Sequence, residues 1–416
     1  MSVTLGIDIG TSGVRALLAD AQGAEQARGE AAIASERRRE PAAIAAAVGA
    51  ALANLGARRE WSGLAALAVD GTSGTILAVD GAGTPLGAAL LYNDRADPAL
   101  VARIAALAPP ESAAHGATSA LARALTLQET AGAARILHEA DWVAGLLCGR
   151  FDVSDTNNAL KTGYDPVAGA WPGWIGEVGM RQRLLPEVVA PGTRVGRVTA
   201  AAAARFGLPA GTPVAAGTTD GCASFLATGA ASVGDGVTAL GSTLVLKLLC
   251  SRPIFAPRFG IYSHRILGLW LAGGASNTGG RVLDAFFSRE QLRELSTHID
   301  PAAPSGCDFV PLLAPGERFP VNDPALAPRL EPRPADDAAF LHGLLEAIAG
   351  VEAEGYRRLG ELGGPPLRRV LSVGGGAANP TWGAIRALRL GVPVERAASS
   401  EAALGAAVLA RAAVPG

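Results

Sequence analysis

The chain has 416 residues, 49% of them hydrophobic and 18% charged, with a formal net charge of −2. This composition excludes a disordered chain, and the near-zero charge gives no field for gripping nucleic acid or an anionic membrane. The length suits two or three domains, and no run of about 18 uncharged apolar residues announces a membrane span.

In chain order, residues 3–20 read as two short strands around Gly10-Thr11-Ser12-Gly13, and a third strand falls near Ala31. Residues 41–57 carry apolar residues at helical spacing. The run 64–70 is a strand ending in Asp70-Gly71-Thr72-Ser73-Gly74. TILAVDGAGTPLGAALLYND reads as strand, turn at Asp80-Gly81 and a second strand. Residues 98–150 read as mostly helical. Pro-Gly-rich patches at 186–192 and 209–213 read as loops. VAAGTTDGCASFLATGA is then strand, turn and helix start, and GDGVTALGSTLVLKLL is strand, Gly-Ser-Thr turn and strand. Residues 338–362 form an amphipathic helix. LRRVLSVGGGAANPTW is strand, triple-glycine turn and helix, and SSEAALGAAVLARAA closes as a helix with Ser399 or Ser400 as N-cap. Strands alternating with helices give an α/β architecture. The Gly/Thr/Ser hairpin turns at 10–12 and 241–243 loosely echo one another, which hints at two related lobes.

The start, MSVTLGIDIG, lacks a basic region and cleavage site, so no secretory signal is read there. Cys148, Cys222, Cys250 and Cys307 are far apart with no C-x-x-C, which indicates neither zinc nor a disulfide framework. A reducing cytoplasm is the simple reading. Of the two lysines, Lys161 reads as structural and Lys247 as snorkelling from an apolar strand.

The first turn carries chemistry. Glycine lets a ligand approach the backbone, and the hydroxyls and N–H groups of Thr11 and Ser12 can form an anion-binding concavity. Asp8 beside it suits a hydrated Mg²⁺, which takes one or two carboxylates plus phosphate oxygens. No Walker G-x-x-x-x-G-K-[ST] occurs anywhere in the chain. A hairpin with Asp and Gly at its turn is also common without any ligand.

Four segments then line up: DIGTSG (8–13), DGTSGT (70–75), AGTTDG (216–221) with LGST (240–243), and VGGGAANPTW (373–382). In this order they resemble the FGGY family of carbohydrate kinases, in the actin/hexokinase-like superfamily. The resemblance runs from residue 3 to 413. The runs YSHR, GGASNTGG, GERFPVNDP and LEPRP are most similar to a compact subgroup, the cyanobacterial-type D-ribulose kinases and plant xylulose-kinase-like proteins. The resemblance implies an α/β fold of two actin-like ATPase (ribonuclease H-like) domains with an inter-domain cleft. Residues 1–227 would be the sugar-binding domain, with a C-terminal helix at 401–416 packing on it, and 228–400 the nucleotide-binding domain.

The same resemblance implies ATP and Mg²⁺ as cofactors, with Asp8 and Asp220 holding the metal. Asp220 would be the general base that accepts the sugar hydroxyl's proton; it equally suits a plain cap for the helix starting at Gly221. Thr11, Ser12 and Gly13 would face the transferred phosphoryl group, with Val14 and Arg15 just beyond; Arg15 also suits a surface strand. Gly241, Ser242 and Thr243 would hold the nucleotide phosphates, Gly279 and Gly280 would form a second contacting loop, and Gly375, Gly376, Ala377 and Asn379 would face the nucleoside. Thr72-Ser73 and Tyr92-Asn93-Asp94-Arg95 are the sugar candidates, because a polyol needs several short hydrogen-bond donors and acceptors converging on it. The stretch YNDR departs from the family's W-x-D-x-R, which leaves the role of Asp94 open. The implied reaction is phosphorylation of a ketopentose primary hydroxyl, D-ribulose first and D-xylulose second, by a monomer or homodimer without nucleic-acid or membrane partners. A non-catalytic sugar- or nucleotide-binding protein and an actin-like structural ATPase are the rivals on the same fold.

Overall fold

The protein is described here by a computed structural model covering residues 2–57, 61 and 63–414. Its contacts divide into two units: Met1–Ala227 with His264–Gly268 and Ser400–Gly416, and Thr228–Ser263 with Leu269–Ser399.

The first unit is built on β1 (Val3–Ile9), β2 (Gly13–Ala19), β3 (Glu25–Ala32) and β4 (Leu64–Gly71). Strands β5 (Ile76–Val79) and β6 (Arg135–His138) form an antiparallel ribbon, and β7 (Val153–Asp155) pairs in parallel with β8 (Glu187–Val189). Strands β9 (Arg194–Arg197) and β10 (Pro213–Thr219) complete a main sheet of order β3-β2-β1-β4-β10-β9. All seven residues of β1 are buried, as expected of a central strand covered on both faces. Ile44, Val48 and Leu52 of the helix Pro41–Gly56 join Leu5, Ile7 and Ile9 in one core.

The other face is covered by the helix Ala402–Ala410. A side chain at Gly6 would strike the Ala403 carbonyl, and one at Gly405 would strike the carbonyl of Ala223. Only glycine at these two crossings lets the Ala-rich helix lie against both β1 and the helix Asp220–Ala227. The helix read at 401–416 is thus shorter than expected, a 3-10 turn follows at Arg411–Ala413, and residues 415 and 416 lie outside the described residues. Its N-cap is Glu401, with no side-chain capping bond, and not Ser399 or Ser400.

Three other expectations fail locally, the first being the patch 186–192 read as a loop, which contains β8 (Glu187–Val189). The second strand after Asp80 is absent: residues 85–90 make only the isolated bridges Val79↔Pro85 and Ile76↔Leu90. Pro85 lacks the N–H a ladder needs, and β5 pairs with β6 instead, inside the stretch read as helical.

The second sheet is formed by β11 (Asp235–Leu240), β12 (Leu244–Cys250), β13 (Tyr262–Ile266), β14 (Leu269–Ala275), β15 (Arg369–Val373) and β16 (Val394–Arg396), all in the second unit except the end of β13 from His264 on. Their order is β13-β14-β12-β11-β15-β16. Strands β14-β12-β11-β15-β16 repeat the pattern of β3-β2-β1-β4-β10: two antiparallel pairings followed by two parallel ones. The loose echo between the Gly/Thr/Ser turns therefore reflects one topology used twice. The helices Asp337–Glu361 and Pro380–Leu390 are tied to this sheet by a buried network. Arg386 donates to both carboxylate oxygens of Glu352 (2.6 and 2.7 Å) and to Ser372 Oγ (2.8 Å), and Thr238 donates to Glu352 (2.6 Å).

Candidate active site

In parallel sheets, ligands sit at the carboxyl ends of the strands. At that end of the first sheet, register sets Asp8 of β1 directly opposite Asp70 of β4, and Asp70 opposite Thr218 of β10, two residues before Asp220. Three carboxylates thus converge from three neighbouring strands.

Asp8 is 3% exposed. Burial raises its pKa, the Arg15 guanidinium opposes this, and the charges of Asp220 and Glu401 push it further up. Arg15 Nη1 lies 3.2 Å from Asp8 Oδ2 and 3.8 Å from Glu401 Oε1, so it bridges two carboxylates rather than merely decorating a surface strand. Asp70 is fully buried, and its carboxyl interacts with that of Asp8 by charge and by a side-chain hydrogen bond. Burial, then the charge of Asp8, holds its pKa well above the usual range. Two adjacent buried carboxyls ionise together only at high cost, and burial with the neighbouring Asp8 charge favours the protonated form of Asp70.

Asp220 opens the helix Asp220–Ala227 and accepts the N–H of Gly221 on Oδ1 at 2.7 Å. It therefore makes a local helix-start contact while its charge also reaches Asp8.

The turn between β1 and β2 is closed by Gly10 N–H donating to Gly13 O (2.9 Å), and Ser12 O accepts from Ile33 N–H (2.9 Å). Thr11 and Ser12 are exposed, Gly13 is half-buried and Val14 is buried in the core. Ser73 Oγ is buried with no partner among the described residues. Asn93 is exposed. Asp94 is engaged by Arg39 (2.5 and 2.6 Å) and by Leu91 N–H (2.8 Å), and Arg39 holds its carboxyl below the usual range. Asp94 is thus a loop clasp.

The second unit contains a cavity of about 780 Å³, within the range of small-molecule sites. Gly241, Ser242, Gly280, Gly375, Gly376 and Asn379 line it, together with Arg289 and Arg293. Thr243, Gly279 and Ala377 do not. Gly279 has φ +138°, and a Cβ there would stand 2.7 Å from the Thr243 backbone; it lets the 278–280 loop press against the turn, where Gly280 N–H donates to Gly241 O at 2.8 Å. Asn379 caps the helix Pro380–Leu390 by accepting from Trp382 N–H (3.0 Å) and donates to Ser296 Oγ (2.8 Å).

Reading the sequence alone missed Asp70, Arg38, Glu139, Arg289 and Arg293. A signal for Asp70 existed: both Asp8 and Asp70 end an apolar run and precede a Gly/Thr/Ser turn. Among the described residues no group of three or more His, Cys, Asp or Glu is placed to hold a metal. Hydrated Mg²⁺ does not need one.

The family described as "FGGY family of carbohydrate kinases, C-terminal domain" matches residues 229–414. The chain carries an FGGY C-terminal domain. Among curated proteins, autoinducer-2 kinase from Yersinia pestis (strain Pestoides F) is 32% identical over 295 residues, 65% of this chain and 55% of that protein. The chain thus spans about half the length of the curated relatives it matches. Among solved structures, a xylulose kinase from Rhodospirillum rubrum superposes with a TM-score of 0.84 at 24% identity, over 98% of this chain and 89% of the other. Plasmodium falciparum glycerol kinase with ADP gives 0.83 at 16%, over 99% and 89%. These likenesses establish the fold, two actin-like domains, outside the FGGY C-terminal domain as well as within it. No helix is long and apolar enough to cross a membrane among the described residues.

Proposed function

We propose that the protein transfers the γ-phosphoryl group of ATP to the primary hydroxyl of a ketopentose, D-ribulose. The observation that carries this reading is the convergence of Asp8, Asp70 and Asp220 at the carboxyl ends of three adjacent strands, beside an exposed Thr-Ser turn. Phosphoryl transfer needs positioning and charge neutralisation more than covalent chemistry. Asp220 would accept the hydroxyl proton, and Thr11, Ser12 and Gly13 would face the phosphoryl group. Ser73 Oγ, buried without a partner, suits a sugar hydroxyl. The nucleotide would occupy the cavity walled by Gly241, Ser242, Gly375 and Gly376.

Asp8 and Asp220, two carboxylates within each other's field, fit a Mg²⁺ that keeps most of its waters. The ion would supply charge neutralisation on the phosphate oxygens.

D-xylulose is the second reading, favoured by the fold likeness to xylulose kinases. A sugar's hydroxyl stereochemistry is read by a few hydrogen bonds. The test is a coupled ADP-release assay over D-ribulose, D-xylulose, glycerol, gluconate and autoinducer-2. The reading expects D-ribulose to give the highest kcat/KM. Turnover indifferent to any added sugar overturns it and favours an actin-like ATPase.

A further inference from the structure

Arg38 and Glu139 lie outside every motif yet tie two of them together. Both are buried, at 4% and 0% exposure. Arg38 Nε donates to Gly10 O at 3.1 Å, in the turn after β1. Its Nη2 reaches Glu139 Oε1 at 2.9 Å and Oε2 at 2.8 Å. Glu139 Oε1 in turn accepts the Thr72 N–H (3.1 Å) and the Thr72 hydroxyl, in the turn after β4. Thr72 Oγ1 lies 2.7 Å from Thr75 Oγ1, which accepts from Tyr92 N–H at 3.2 Å. The Glu139 N–H closes the set on Thr75 O at 3.0 Å.

A buried ion pair is a poor device for stability alone, because apolar residues of similar volume often replace it without loss. What apolar residues cannot do is bond to the Gly10 carbonyl and the Thr72 N–H at once. The turn that would face the phosphoryl group and the turn that would face the sugar are therefore fastened to one rigid, planar pair.

We propose that Arg38 and Glu139 are positioning residues that lock the Gly10–Gly13 turn to the Thr72–Thr75 turn, fixing the spacing between phosphoryl-facing and sugar-facing groups. The role assigned to these turns rests on the function proposed above; the mechanical link does not. Misplacement by about 1 Å costs on the order of 100-fold in rate.

The test compares wild type with Arg38→Met/Glu139→Met, Arg38→Lys and Glu139→Gln. Thermal melting, sugar-dependent kcat, ADP affinity and amide hydrogen exchange are measured for each. Expected for the double apolar variant are near-native melting, unchanged ADP affinity and a kcat lower by roughly 100-fold. The Thr72, Gly10 and Ile33 amides should lose protection together, because the last two report the Gly10–Gly13 turn through their bonds to Gly13 O and Ser12 O. Arg38→Lys keeps the charge without the planar fork and should fall in between. A folded double variant with kcat within threefold of wild type, or loss of protection confined to Thr72, overturns the proposal. If the double variant does not fold, the two single variants carry the same comparison. If wild type shows no sugar-dependent turnover, the proposed function fails, and the exchange pattern alone decides the link.

Discussion

Glu139 offers a quantitative check on the electrostatics behind the turns. Burial pushes its pKa from 4.5 up to about 7, although Arg38 and Thr72 pull the other way. In the unfolded chain it ionises near 4.5, so between these values the folded protein binds the extra proton. Stability from this group is therefore fully present below about pH 4.5 and is lost as pH rises through about 7. A shift of one pKa unit corresponds to about 1.4 kcal/mol, so the full change is roughly 3 kcal/mol. The perturbation is Glu139→Gln, which removes the titration and keeps the size. Urea unfolding of the first unit is followed for both proteins at intervals from pH 4.5 to 8. Asp8, Asp70, Asp141 and Asp155 titrate in both and cancel to first order in the difference. The unfolding free energy of wild type minus that of the variant should fall by roughly 3 kcal/mol across this window and then level off. A difference that stays flat, or that rises with pH, refutes the claim that Glu139 is held by burial against its ion pair.

Two glycine pairs give further tests. Gly376→Ala drives a Cβ into the Trp382 ring and to 2.9 Å from Leu240 Cβ, whereas a Cβ at Gly375 meets nothing within 4 Å. The first should lose about 1–3 kcal/mol in denaturant titration and weaken ADP binding, while Gly375→Ala stays near wild-type stability. Gly405→Val should cost at least about 3 kcal/mol in the same titration, because its side chain meets the Ala223 carbonyl rather than a movable side chain. Gly350→Ala, inside the helix Asp337–Glu361 where a Cβ meets nothing within 4 Å, should instead gain roughly 0.5–1 kcal/mol.

The sequence made legible those elements whose chemistry is local. β1, the turn at 10–13, β2, and the strand-to-helix turn at Asp220 are each specified by a short run with its own glycine and hydroxyl signals. Asp70 was harder, because a lone carboxylate ending an apolar strand is ordinary until β-sheet register places it opposite Asp8. Arg38 and Glu139 were invisible for a similar reason. They are 101 residues apart, and neither sits in a motif. Arginine at 289 and 293 became meaningful only once the cavity they line existed. The strand β6 was lost inside a helical stretch because four residues carry too little period to register. Ser399 and Ser400 suit a cap by residue type, but the chain enters the last helix at Glu401, whose carboxylate lies 3.8 Å from Arg15 instead of capping.

In the proposed reaction one carboxylate, Asp220, draws the proton from a sugar hydroxyl as phosphate is transferred. Asp220→Asn keeps the size and a hydrogen-bonding oxygen but removes the base. Measured as D-ribulose-dependent ADP release at saturating ATP, its kcat should fall by roughly 100-fold or more while ADP still binds the second unit's cavity. Turnover within a few-fold of wild type, with ADP binding intact, would contradict the account.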